Sequence, residues 1–218
     1  MKRPFSFLLL GTLIAALAAP AAAHAFGQGK LQRHWRVTAA ETVWHGRYSN
    51  CDYGYYVELP KGAIAHSPKP PQPNHGAVMD LASPRSNREL VPHLRRSLSM
   101  NSTYDASGLS SLDSIAKKEL SLMRQGKQNF RVLTEHPAHL AGLPGKLIQV
   151  SYAGSRGLAI VLEMIAYRPP GPHGLGGIVY RLKLRSTSTA LDQDKRTFHA
   201  LLAGFHLTPL PLGACRNE

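Results

Sequence analysis

The chain has 218 residues, carries 26 Lys and Arg against 13 Asp and Glu, and holds two cysteines. That length suits one domain with a real core and leaves little room for a second. A formal charge of +13 favours anionic surfaces without specifying a fold, and two cysteines with no Cys-x-x-Cys pair exclude a cysteine-built zinc site.

Lys2 and Arg3 open the chain. Phe5 to Ala18 are almost unbroken apolar residues, and Ala23-His24-Ala25 ends in the small residues of a cleavage site. Basic, greasy, then small is the order of a secretory signal peptide. The apolar run of about 14 residues falls short of the ~20 that span hydrocarbon, and Pro20 interrupts the alanines on either side of it. Residues 1–25 are therefore expected to be removed, leaving a soluble secreted or periplasmic chain with no transmembrane segment. Losing Lys2 and Arg3 lowers the charge from +13 by two, to +11.

Residues 26–49 read as an N-terminal extension, with strand-like alternation around Trp35, Val37, Val43 and Trp44. Residues 50–218 read as a single domain. From Asp52 to Leu59 aromatic and β-branched residues recur at period two, which marks a strand, and Pro60-Lys61-Gly62 turns it. Pro68, Pro70, Pro71 and Pro73 make a stiff loop between His66 and His75, and Gly76 to Ala82 reads as a short strand. Residues 83–108 show no clear period. Ser110 with Asp113 opens a helix to about Gln125, its apolar face set by Leu112, Ile115, Ala116, Leu120 and Met123. Four strands come next, Phe130–Glu135, Lys146–Ala153, Leu158–Tyr167 and Ile178–Arg185, with glycine-rich turns between the last three that predict an antiparallel meander. A second helix is predicted over Leu191–Ala203, with Gly204 as its stop.

The strand Tyr53-Gly54-Tyr55-Tyr56-Val57-Glu58-Leu59-Pro60-Lys61-Gly62, a helix from Ser111-Leu112, the Gly142-Leu143-Pro144-Gly145 turn, and the closing Tyr180-Arg181-Leu182-Lys183-Leu184, helix and Phe205-His206-Leu207-Thr208-Pro209 together resemble the PsbP-like superfamily of PsbP and DcrB-like exported proteins. The resemblance covers residues 50–210. It implies an α+β fold, a central antiparallel β-sheet flanked by helices on both faces in an α/β/α sandwich. It also implies a style of function, binding or assisting the assembly of other molecules, and transfers no functional residue.

In an oxidising compartment Cys51 and Cys215 are expected to form a disulfide, worth nominally about 5 kcal/mol in the chain-entropy account. Catalytic motifs are incomplete. Gly108-Leu109-Ser110-Ser111-Leu112 lacks the second glycine of a nucleophile elbow, and Ser114-Ile115-Ala116-Lys117 has no companion Lys-Thr-Gly. No catalytic residue, metal or cofactor is assigned. The one metal alternative is His66 with His75, which bracket the proline loop; with a carboxylate beside them they would make a small secreted hydrolase or metal-dependent enzyme. Asn101-Ser102-Thr103 spells a glycosylation sequon.

The strongest surface feature is a stripe. Arg181, Lys183 and Arg185 alternate with Tyr180, Leu182 and Leu184, so a strand sends three cations to one face. These residues are the candidate contact for an anionic protein or envelope polymer. Nucleic acid is not expected, because only Tyr180 and Tyr167 offer stacking platforms nearby and the chain is read as exported. The function expected from sequence is thus an exported, non-enzymatic binding or assembly factor.

Overall fold

A computed structural model describes residues 43–68, 75–81, 96–105, 110–154, 157–171 and 176–209. In chain order the strands are β1 (Val43–His45), β2 (Arg47–Asn50), β3 (Tyr55–Glu58), β4 (Ile64–His66), β5 (Gly76–Asp80) and β6 (Ser97–Asp105). Helix α1 (Leu112–Arg124) precedes β7 (Gln128–Leu140), β8 (Leu143–Gly154), β9 (Gly157–Arg168) and β10 (Gly177–Thr187). Helix α2 (Leu191–Ala203) and β11 (Phe205–Leu207) close the described chain. The expected signal peptide, most of the expected N-terminal extension and Cys215 lie outside the described residues.

Eight strands form one antiparallel sheet in the order β1-β4-β5-β6-β10-β9-β8-β7, and β11-β3-β2 form a second. The meander expected for the last four long strands is present, each running further than its periodicity predicted. The expected helix-flanked α/β/α sandwich does not form. The described protein is mostly β, with two α-helices, and the layer on its main core is itself a three-stranded sheet with α2 beside it. The reason is local. Residues 47–59 break at a 3-10 turn, Cys51–Tyr53, into β2 and β3, and Phe205–Leu207 pairs with β3. The strand expected over Asp52–Leu59 is thereby shortened to β3, and a strand of three residues such as β11 is too short to show a period.

The main core lies between the two sheets. Tyr48, Tyr55, Val57 and Phe205 from the small sheet meet Leu98, Met100, Leu162, Met164, Leu182 and Leu184 from the large one, with Phe198 and Leu201 of α2. On the opposite face α1 packs on β8 and β9, where Ile115 and Ala116 meet Ile148, Val150, Val161 and Ile165. Ser111, one residue beyond the predicted start, caps α1: its Oγ accepts from the Ser114 N–H, and Ser114 Oγ returns the bond to the Ser111 N–H. Ser114 is thereby committed to the cap rather than to Lys117.

Strand β6 runs through the stretch that shows no period in the sequence, and it is central. It joins the β7–β10 meander to β5. Its alternation is between buried Leu98, Met100 and Ser102 and partly exposed Ser97, Ser99, Asn101 and Thr103. Small polar residues in a half-covered strand give little hydrophobic signal. Gly76 is needed where β5 meets it, because a Cβ there would lie 1.9 Å from the Met100 carbonyl oxygen. The sequon at Asn101 sits inside this doubly paired strand, with Ser102 only 1% exposed, whereas acceptor sites favour surface loops.

Candidate functional site

Alternation along β10 puts Arg181, Lys183 and Arg185 on the face that α1 shares, while Tyr180, Leu182 and Leu184 enter the main core. Register then sets their neighbours. Arg181, Lys183 and Arg185 stand opposite Asn101, Ser99 and Ser97 of β6 on one side, and opposite Ile165, Glu163 and Val161 of β9 on the other. A row of cations thus runs between a row of hydroxyl and amide groups and the wall made by α1.

Glu119 of α1 reaches down into the row. Its carboxylate takes Arg181 Nε at 3.0 Å and Lys183 Nζ at 3.3 Å, while Arg181 Nη1 donates to Thr103 Oγ1 at 2.9 Å. Lys183 Nζ also lies 3.1 Å from Glu163 Oε1. Arg185 is engaged as well. The stripe is therefore held in place by the protein's own carboxylates, with Arg181 and Lys183 keeping 20% and 33% side-chain exposure.

Glu163 is the unusual member. It is fully buried, and among the described residues its close polar neighbour is the Lys183 ammonium, paired with Oε1, while no hydroxyl or amide group bonds either carboxylate oxygen. Burial pushes its carboxyl up to about 7, the nearby Lys183 charge pulling back less than desolvation pushes. Burial would lower the Lys183 amine, but Glu163 and Glu119 together hold it above the usual lysine range.

Solved structures share this architecture. The chain is similar to the cyanobacterial PsbP protein (CyanoP) of Synechocystis sp. PCC 6803, with a TM-score of 0.51 at 15% identity over 76% of this chain and 92% of that one. It is also similar to LpqN of Mycobacterium tuberculosis, a protein involved in cell envelope biogenesis, with a TM-score of 0.54 at 16% identity over 77% and 92%. The fold is PsbP-like. No protein-family model and no curated protein matches the sequence.

Within this PsbP-like fold the two histidines bracketing the proline loop are not brought together. His66 on β4 pairs with Val78, on the face of the cation row. His75 turns to the other side, where its Nδ1 lies 3.0 Å from Tyr53 Oη and 3.0 Å from the Ser102 carbonyl oxygen. No group of three or more His, Cys, Asp or Glu is placed to hold a metal among the described residues. No described helix is long and apolar enough to cross a membrane.

Sequence reasoning missed Glu119, Glu163 and the β6 hydroxyl row. Glu119 sits on the buried face of α1, three residues after Ala116, and that spacing was the available signal. It also missed a cleft of about 420 Å³ on the far side of β5, lined by Lys61, Met79, Asp80, Arg96, Gln193 and Thr197 among others. Behind it Asp194, 1% exposed, accepts from Arg96 Nε at 2.8 Å, from Arg96 Nη2, and from Ser186 Oγ at 2.6 Å. That network ties the start of α2 to β6 and β10.

Proposed function

We propose that the mature chain works outside the cytosol as a non-catalytic binding or assembly protein, and that the Arg181–Lys183–Arg185 row takes an anionic partner. The observation that carries the reading is the arrangement of that row. Arg181 and Lys183 are pre-positioned by Glu119 and stay partly exposed, and the row has the Ser97, Ser99, Asn101 and Thr103 side chains beside it as further hydrogen-bonding groups. Pre-positioned donors lose less rotamer freedom on binding than free surface lysines. The leader-like N-terminus and the likeness to an envelope-biogenesis protein support an extracytoplasmic setting.

Polyglutamate and vesicles containing an anionic phospholipid are the probes. Retention of either at low salt and its loss at high salt is the expected result, with Arg185→Gln weakening it by several-fold. Indifference of both probes to the chain at low salt would overturn the reading. The Cys51–Cys215 disulfide belongs to the same proposal. Protein isolated from its native compartment should show no titratable thiol before reduction and two after it, and free thiols before reduction would remove the oxidising-compartment argument.

A further inference from the structure

The cation row has α1 on one side only. Across β6, β5 and β4 no described element packs on that face. Val78, at its middle, belongs to neither apolar cluster, and Ile64 and Val43 at its far edge are 50% and 46% exposed. Register places Lys183, Ser99, Val78, His66 and Val43 in one line across the sheet. The surface thus grades from cationic beside α1, through hydroxyl, to an edge where the apolar Val78, Ile64 and Val43 stand among His66 and His45.

From β10 to β4 is three strand spacings, about 14 Å. A helix with side chains is about 10–12 Å across, so the strip holds one helix lying alongside α1. Strand β6 contributes nine residues, about 30 Å, but β5 has five and β4 three, so the strip carries both kinds of contact over about 10–17 Å, two or three helical turns. Glu119 shows the mode of attachment, a helix-borne carboxylate taking Arg181 and Lys183 together.

Resting on the anionic-partner reading, we infer that the partner element is an amphipathic acidic helix, docked parallel or antiparallel to α1 on the β4–β5–β6 strip. Its Glu or Asp residues face β10 and its apolar residues face Val78 and Ile64. An extended acidic polymer would satisfy the cations but leave the apolar edge bare, which is why the gradation favours a helix. Glu163 lies under the row and is out of reach of any ligand. The charged groups facing it are Lys183 and Arg181 of β10 and Glu119 of α1; Asp80 shares the strip at the end of β5. Protonating Glu163 therefore raises the positive potential of the row without altering its surface.

The test uses a side-chain-stapled helical peptide with Glu along one edge and Leu along the other, compared with its unstapled form, a Lys-for-Glu form and polyglutamate, by fluorescence anisotropy on the full mature chain. The stapled acidic peptide is expected to bind at least about tenfold tighter than polyglutamate and to lose about tenfold on Ser99→Glu, which sets a like charge in the strip. Val78→Glu is expected to weaken the stapled peptide while leaving polyglutamate binding little changed. Glu163→Gln should tighten binding near pH 8 and not near pH 5. Unchanged thermal midpoints keep Ser99→Glu and Val78→Glu interpretable. Equal affinity for stapled peptide and polyglutamate overturns the helix inference and leaves the anionic reading standing; no binding of either overturns both.

Discussion

Asp194→Ala is expected to destabilise the protein by about 3 kcal/mol, the scale for breaking one side of a buried charged network. In a domain of this size that lowers the thermal midpoint by roughly 10 °C. The carboxylate is buried and satisfied three times, by two guanidinium N–H groups of Arg96 and by the Ser186 hydroxyl. Removing it leaves the Ser186 hydroxyl, itself 2% exposed, with only the longer 3.2 Å bond to the Thr187 carbonyl, and leaves the Arg96 charge, whose side chain is only 25% exposed, without its partner. It also cuts the tie from α2 to the sheet beneath Phe198 and Leu201. Arg47→Ala gives the contrast. Its 3.9 Å contact with Glu58 is more than half exposed on both sides, its guanidinium lies 3.7 Å over the Tyr56 ring, and such exposed contacts together contribute about 1 kcal/mol. Thermal unfolding of the two variants side by side checks the prediction; comparable midpoints would show that the Asp194 network carries no structural load.

Glu163→Gln is expected to change the shape of the stability–pH curve. In the unfolded chain the carboxyl titrates near its ordinary 4.5, whereas in the folded protein it holds its proton to about 7. Between those values the native state binds the extra proton, so Glu163 lowers stability as pH rises through that window, and the loss levels off above it. The full effect is about 3 kcal/mol. A glutamine has the shape of the protonated acid and does not titrate. The variant should match the parent near pH 5 and exceed it by about 2–3 kcal/mol near pH 8. Lys183 keeps Glu119 in either case. Denaturant unfolding at the two pH values decides. A variant less stable than the parent near pH 8 would mean that the Lys183 attraction outweighs desolvation and that the carboxylate stabilises the fold.

Both residues show where sequence reading stops. Helix α2 was legible over its whole length, because Leu191, Phe198, Leu201 and Leu202 recur on one face and Gly204 ends it. The meander was legible for the same kind of reason, long runs with glycine turns. Nothing in the sequence marks Asp194 as different from Asp192 two residues earlier, yet one is buried on Arg96, 98 positions away, and the other is exposed. Glu163 sits inside an apolar run, Leu158 to Tyr167, where periodicity alone assigns it no partner. It is inward because α1 closes over β9.

The amino-acid order alone determined the export-type leader as an expectation, the two helices, the alternation that sends Arg181, Lys183 and Arg185 to one face, and the rhythm that resembles PsbP-like proteins. These are local properties, set by residues within one or two turns or one strand of each other. Only the tertiary structure decided that a second sheet rather than a helix layer covers most of the core, that β6 stands at the centre, and that the basic stripe is braced by Glu119 and Glu163. Those outcomes depend on pairings between residues tens of positions apart. Register and burial, not periodicity, choose among such pairings.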